Sequence, residues 1–378
     1  MLSLLRAGVP MVASVHHAVV IDRDLELARE RRLRRRLSVR RWYQFHHMQD
    51  TVAQRMPRVL TVSEQSRRDI VDRMGVDPRR IRVIPVAVDD SLFAPQPAVQ
   101  RVPGRIFAVA SSDVSLKGVV PLLHAVAALR RTHAVELVLL GEARRGGAAA
   151  RTLRELGLED TVRFVQGIDD AAVVRNYAEA EVAVVPSLYE GFSIPALQAM
   201  FCGVPLVATT AGALPEVAGR DGDTALLVPP GDATALAQAI GRLLDDPALR
   251  RRLSEAALRR SRARYSWRAT ARATAEVYRE VLGRPGVYHR PMSDTPAEEH
   301  HHHTVSERLD AARAAAEEVV AEESGQLGGE LNALAVPFEE VVAAVRAAID
   351  PDTLAEREDG KDEGTEAADT APGKTPDP

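Results

Sequence analysis

From residue 105 to residue 244, short apolar runs alternate with helical patterns almost without interruption, and that rhythm narrows the fold more than any other feature of the chain. Arg105–Ala110, Val135–Leu140, Val162–Val165, Val182–Val185, Pro205–Ala208 and Ala225–Val228 are predicted strands. Val119–Arg131, Ala148–Leu156, Asp170–Ala178, Pro195–Phe201 and Ala233–Leu244 are predicted helices. Runs this short, with little polar alternation, fit strands buried on both faces. The expected architecture is α/β, a parallel sheet covered by helices on both sides. Ligands of such sheets bind beyond the C-terminal ends of the strands.

The first hundred residues carry a weaker form of the same pattern. Leu2–Ala7 reads as the last turns of a helix stopped by Gly8, and Val9–Val15 as a strand. No strand precedes that helix, so the chain is expected to open in the middle of a strand–helix–strand unit, as a shortened N-terminal domain. Residues 24–56 are helical in pattern and basic, and Val59–Val62 and Ile81–Ile84 read as strands. Ser63 suits the N-cap of a helix Glu64–Met74, with Gly75 as its stop. Val88–Pro103, with three prolines, reads as a linker. Two further helices are expected at Ala248–Arg262 and Trp267–Leu282.

The chemistry concentrates in Glu190-Gly-Phe-Ser-Ile-Pro-Ala-Leu-Gln198, which follows the strand Val182–Val185 through the loop Pro186–Tyr189. Pro195 is tolerated in a first helical turn. The backbone N–H groups of Phe192 and Ser193 then lie at a helix N-terminus, where unpaired donors and the helix dipole favour phosphate. Glu190 adds a carboxylate suited to hydroxyls, and Gly191 lets the backbone approach a ligand. A diphosphate beside sugar hydroxyls describes a nucleotide sugar. Lys117-Gly118 opens another helix, and its ammonium is placed to neutralise a diphosphate. The other lysines are Lys361 and Lys374. Thr209, Thr210 and Gly212 read as a second wall, Gly203 and Pro205 as a turn, and His16 and His17 follow the strand ending at Val15.

These motifs resemble the signature of family 4 glycosyltransferases, a retaining group with the GT-B fold, in which Glu, seven residues and a second Glu close one strand and open the next helix. The resemblance runs from about Pro10 to Leu282, and Gln198 stands where the second Glu, which contacts the ribose, is expected. It implies two Rossmann-like domains facing a cleft, with Lys117 and Gly118 on the donor phosphates and a helix like the last one crossing back to the N-terminal domain. A family arginine five residues before the lysine is Ser112 here; Arg144 or Arg145 could replace its charge, or be exposed loop residues. A family histidine near donor sugar and phosphate corresponds to His16. The catalytic set is therefore His16, Lys117 and Glu190. The donor-binding set is Ser112, Lys117, Gly118, Glu190, Gly191, Phe192, Ser193 and Gln198.

Composition closes off other classes. The single Cys202 excludes internal disulfides and reads as a small buried residue. No apolar stretch approaches the ~20 residues that span a bilayer, and the first residues lack a signal-peptide pattern. A cytoplasmic protein follows, with peripheral contact at the inner face of the membrane as one option. Residues 29–41 are strongly basic and have three readings: a solvated helix face, an anionic-lipid contact, or another contact. Aromatics are 4% of the chain and no nucleic-acid motif occurs, so nucleic acid is not an expected partner. No Asp-x-Asp cluster at a strand end implies a metal, and no cofactor is expected. Residues 304–323 and 336–349 read as helical within an otherwise disordered acidic tail, and His300–His303 as weakly metal-binding or linker.

The expected layout is a partial acceptor-side domain over 1–100, a nucleotide-sugar domain over 101–264, a crossover helix over 265–283 and a low-complexity tail over 284–378. The expected activity moves a hexose from a nucleoside-diphosphate sugar to a glycan, lipid-linked or small-molecule acceptor, with retention. The alternative is a relative that only binds nucleotide or a partner. A GT-B epimerase lacks a locatable acid/base carboxylate set, and no Gly-x-Gly-x-x-Gly follows a strand to support an NAD enzyme.

Overall fold

The computed structural model describes residues 10–110, 115–142 and 146–283. Leu2–Ala7 with Gly8, Ser112, Arg144, Arg145, His300–His303 and the two tail helices lie outside the described residues. The chain divides into two compact units, Met1–Thr270 with Val277–Met292, and Ala271–Glu276 with Ser293–Pro378. In the second unit the described residues are the helical Ala271–Glu276. Apart from the range of the last helix, which includes Ala271–Glu276, all geometry below belongs to the first.

Its N-terminal part is a three-stranded parallel sheet of β1 (Val12–Ser14), β2 (Arg58–Thr61) and β3 (Ile81–Val83), in that order. β1 is shorter than the expected Val9–Val15. Met56, Val59, Ile70, Val76 and Ile81 fill a small core beneath it. The expected helical stretch 24–56 is three helices, α1 (Val20–Arg29), α2 (Leu33–Trp42) and α3 (His46–Ala53), with a 3₁₀ turn at Tyr43–Phe45. The break falls at Glu30 and Arg32, both extended at ψ 120° and 117°. Arg36 donates to the carbonyls of Leu27 and Glu30, satisfying the orphan acceptors that end α1. Clustered arginines three and four residues apart also oppose a continuous helix. α4 (Glu64–Met74) begins as expected, with the Ser63 hydroxyl accepting from Ser66 N–H at 2.9 Å, and ends at Gly75 with φ +68°.

The second part is a six-stranded parallel sheet: β4 (Arg105–Val109), β5 (Glu136–Leu140), β6 (Val162–Val165), β7 (Val182–Val185), β8 (Leu206–Thr209) and β9 (Leu226–Val228), ordered β6-β5-β4-β7-β8-β9. The alternating side chains of each strand go to opposite layers. Ile106, Ala108, Leu137, Leu139 and Val184 pack with α5 (Val119–Leu129), α6 (Ala148–Glu155) and a later helix, Ala233–Asp245. Phe107, Val138, Ala183 and Val185 pack with α7 (Asp170–Glu179) and α8 (Ile194–Phe201). Phe107 meets Tyr177 edge to face at 4.8 Å, and both are fully buried. Burial on both faces is why these strands read as unbroken apolar runs.

α9 (Leu214–Ala218) was not expected; five residues are too few to show a helical period. It is followed by α10 (Ala233–Asp245), α11 (Pro247–Arg264) and α12 (Trp267–Leu282). Val88 and Phe93, in the expected linker, are buried in the core under α8, so that segment also packs. Near the end of α12, Glu280 forms ion pairs with Arg58 on β2 and with Arg82 on β3, the latter at 3.7 Å. Thr270 donates to Pro85 O at 2.8 Å. Among the described residues no helix is long and apolar enough to cross a membrane.

Candidate active site

The strand order reverses between β4 and β7. The helix after β4, α5, lies on one face of the sheet and the helix after β7, α8, on the other. A crevice opens at such a switch point beyond the strand ends. Lys117 leaves β4 and Glu190 leaves β7, so topology alone brings them together. Lys117 Nζ lies 2.9 Å from Glu190 Oε1, with side-chain exposures of 34% and 11%. Ser187 Oγ donates to the same Oε1 at 2.7 Å, and Thr209 Oγ1 donates to Ser187 O at 2.5 Å. Leu188 N–H donates to Leu116 O at 2.7 Å, which ties the two loops.

Glycines permit this proximity. Gly118 has φ +66°, and a Cβ there would lie 1.9 Å from Pro186 O. It precedes α5, which no side chain caps, so the first N–H groups of α5 retain their capacity for an anion beside Lys117. Gly212 has φ +56°, and a Cβ would lie 2.2 Å from Glu190 O, the carbonyl that accepts from Ala213 N–H at 2.8 Å. Ser193 has φ +110°, the one positive φ at a non-glycine among the described residues. It is the buried N-cap of α8, its hydroxyl accepting from Ala196 N–H at 3.4 Å. Such a conformation costs roughly 1–3 kcal/mol and concentrates at functional sites.

Phe192 is buried, its ring edge-on to Tyr265 at 5.7 Å, so its backbone rather than its side chain serves the loop. Gln198 is half-buried, and its side-chain carbonyl accepts from Tyr177 OH at 3.3 Å; that hydroxyl also lies 3.0 Å from Pro195 O.

The N-terminal part closes the other side. Gly191 O accepts from Ser63 Oγ at 2.6 Å and Ser66 Oγ at 2.9 Å; Ser66 Oγ is also 2.7 Å from His16 O. A Cβ on Gly191 would come within 2.8 Å of His16 O. Glu216 of α9 accepts from Glu64 N–H at 2.9 Å and Gln65 N–H at 2.7 Å, capping α4 from across the cleft. Tyr189 OH donates to Asp69 at 2.5 Å. His16 is exposed as a residue, yet partial burial of its imidazole, and then the charge of His17, lower its pKa below the usual histidine value; His17 is half-buried and lies 2.9 Å from Asp22 on α1. The hydrogen bond to Asp22 raises the His17 pKa above the usual histidine value against the opposing effect of burial; the charge of Glu190 raises it further and that of Lys117 lowers it. His17 is thus electrostatically linked to the Lys117–Glu190 pair.

Sequence reading missed Ser187, Tyr189, Ser63, Ser66, Asp22 and Glu216 as parts of this site. Only Asp22, five residues after a histidine, left a local signal; the rest depend on pairings across the chain. His46, His47 and Asp50 form one potential metal group among the described residues. His46 Nε2 accepts from the Arg23 guanidinium at 2.6 Å and its Nδ1 then donates to Asp50 at 3.1 Å, so neither ring nitrogen is open to a cation. Cys202 is buried as expected, its thiol pushed up to about 12 by burial.

Residues 103–246 match the family described as Glycosyl transferases group 1, and residues 1–92 the one described as Glycosyltransferase Family 4. The MMP alpha-(1->4)-mannosyltransferase of Mycolicibacterium hassiacum is 46% identical over 284 residues, covering 75% of this chain and 68% of that protein. The D-inositol 3-phosphate glycosyltransferase of Kineococcus radiotolerans is 34% identical, covering 61% and 59%. The chain thus spans about two thirds or less of the relatives it matches. Among solved structures, sucrose-phosphate synthase from Thermosynechococcus elongatus aligns at a TM-score of 0.59 with 30% identity, over 72% of this chain and 68% of that one. Anabaena HepE in complex with UDP and glucose aligns at 0.59 with 21% identity, over 71% of each, a likeness of fold alone.

Proposed function

The chain belongs to glycosyltransferase family 4, and from that premise we propose that it transfers a hexose from a nucleoside-diphosphate sugar to an acceptor hydroxyl with retention of configuration. The GT-B architecture and the glycosyltransferase relatives support this class. The observation that carries the finer reading is the Lys117–Glu190 pair at the switch point, beside an uncapped helix.

In this reading the diphosphate lies on Lys117 and the first N–H groups of α5. As the glycosidic bond breaks, negative charge grows on the leaving diphosphate, and these fixed groups stabilise it. Glu190, held by Ser187, accepts from sugar hydroxyls. His16 or its neighbour His17 approaches sugar and phosphate from the other part of the chain. The donor phosphate takes the acceptor proton, so no protein nucleophile and no metal are required. Closure of the cleft excludes water. The mannosyltransferase relative favours mannose as the sugar. A reducing cytoplasm suits a chain with one thiol.

Titration calorimetry of the purified chain with UDP and GDP tests the donor half. Losing a charge-assisted contact worth about 1.5–3 kcal/mol predicts roughly 10- to 150-fold weaker binding for Lys117→Ala. Glu190→Ala should bind the nucleotide yet transfer little sugar. If both variants match the wild type in binding and transfer, the site is elsewhere. One observation favours a second reading, a protein that binds nucleotide without transfer. The Gln198 carbonyl is hydrogen-bonded to Tyr177. Nucleotide binding with no turnover of any sugar nucleotide would select it.

A further inference from the structure

Among the described residues, the exposed large apolar side chains are Leu33, Leu37, Trp42, Phe45 and Met48, and all five fall on α2, the turn after it and α3. Leu33 is 78% exposed, Trp42 75%, Met48 65% and Leu37 63%. No residue of α2 is buried. Residues 31–48 hold seven arginines and not one carboxylate. Arg31, Arg32, Arg34, Arg40 and Arg41 are exposed, and none of them forms a salt bridge with another described residue. Water-facing leucine and tryptophan gathered in one patch mark an interaction surface, and here they stand beside guanidinium groups with no ion-pair partner among the described residues. It combines the two attractions that hold a peripheral helix at a lipid interface, apolar insertion and charge.

We propose that α2 and the start of α3 form a docking surface for an anionic lipid bilayer. Charge complementarity selects this occupant. A second copy of the chain on the same face would set arginines against arginines. A nucleic-acid backbone would satisfy the arginines but leave Leu33, Leu37 and Met48 in water. A bilayer with anionic headgroups satisfies both, with Trp42 suited to the headgroup level. Trp42 also provides a spectroscopic reporter. The fold gives docking a consequence, since α1 packs against α2 on one side and against the Ser115–Lys117 turn on the other. Docking would hold the Lys117 crevice close to the lipid surface, within reach of an amphiphilic acceptor.

The test is co-sedimentation of the full chain with vesicles of phosphatidylcholine alone and of phosphatidylcholine with about one third phosphatidylglycerol. Binding is expected to the anionic vesicles, at least tenfold weaker to neutral ones and strongly reduced by salt. Arg34→Gln, Arg40→Gln and Arg41→Gln should each weaken it by up to about fivefold. Trp42→Ala should weaken it too, and in the wild type Trp42 fluorescence should shift to the blue and be quenched by brominated lipid. Circular dichroism and thermal unfolding of each variant show that the fold is kept, and nucleotide titration of the wild type reads the donor site separately. Equal binding to both vesicles, no binding, or vesicle binding unchanged in Trp42→Ala would overturn the proposal. So would self-association that covers this face, read by sedimentation velocity. Loss of nucleotide binding with vesicle binding intact would count against the proposed function and not against the surface.

Discussion

Gly212→Ala probes whether the Glu190 loop is held by backbone packing. At φ +56° an alanine pays roughly 1–2 kcal/mol for the left-handed region. Its Cβ would stand 2.2 Å from Glu190 O and 3.0 Å from Glu190 N and C. All three are main-chain atoms, so no rotamer change relieves the contact, and the loop must move. Moving it strains the Ala213 N–H bond to Glu190 O, worth roughly 0.5–1.5 kcal/mol. The sum is about 1.5–3.5 kcal/mol. Gly222→Ala is the control. Its φ is +78°, but nothing lies within 4 Å of the added Cβ, so conformation alone acts, at roughly 1–2 kcal/mol. Urea unfolding should place Gly212→Ala below Gly222→Ala by about 0.5–1.5 kcal/mol, a factor of roughly 2–13 in the folding equilibrium. Calorimetry should show nucleotide affinity reduced only in Gly212→Ala, because displacing Glu190 also displaces the partner of Lys117. Equal stabilities together with equal affinities would refute the idea that this contact fixes the loop.

Three further tests address neighbouring parts of the site. Ser193→Ala loses the α8 cap and keeps the φ of +110°, whereas Ser193→Gly loses the cap and relieves the backbone, so the glycine variant should be more stable by about 1–2 kcal/mol in urea unfolding; the opposite order would mean the conformation is not imposed by its surroundings. Because Asp22 raises the His17 pKa in the folded protein, the pair's contribution is complete below the unfolded histidine value near 6.5 and is lost as pH rises through the folded value. The stability gap between wild type and Asp22→Asn should therefore shrink from pH 6 toward pH 9, and a gap that widens would contradict the assignment. Gln198→Glu should bind UDP or GDP several-fold more tightly, with affinity for inorganic pyrophosphate unchanged; no gain in nucleotide affinity would mean that Tyr177 keeps this side chain from the ribose.

Much of the second sheet was legible because its inner strands are buried on both faces and print apolar runs such as Val182–Val185. Ser63 and Gly75 marked the ends of α4 because capping chemistry is local. The stretch 24–56 misled, since its composition favours helix everywhere while the break at Glu30–Arg32 depends on Arg36 reaching back to Leu27 and Glu30. At the site, Lys117 and Glu190 were separately visible as residues leaving strands, but their pairing follows from strand order, which periodicity does not encode. Ser66, Glu216 and Tyr189 looked like ordinary surface residues. Each acts through a partner 50 to 152 positions away, where local pattern carries no information.

That long-range wiring bears on how the proposed donor would be read. Glu190 Oε1 has two donors, Lys117 and Ser187. A diphosphate that draws Lys117 toward itself leaves the Glu190 carboxylate, 11% exposed, with Ser187 alone. An ionised carboxylate that loses its cation while largely buried is costly unless new donors arrive. Sugar hydroxyls are such donors. Under the proposed function, binding of the phosphates and binding of the sugar are therefore coupled through one oxygen. A bare diphosphate satisfies Lys117 at the expense of Glu190, and a complete sugar nucleotide satisfies both. Gly191, next to Glu190 and held by Ser63 and Ser66, carries any shift of that loop to α4. Recognition of the sugar is in this way tied to the register of the two halves of the cleft, where the acceptor must be aligned before the glycosidic bond breaks.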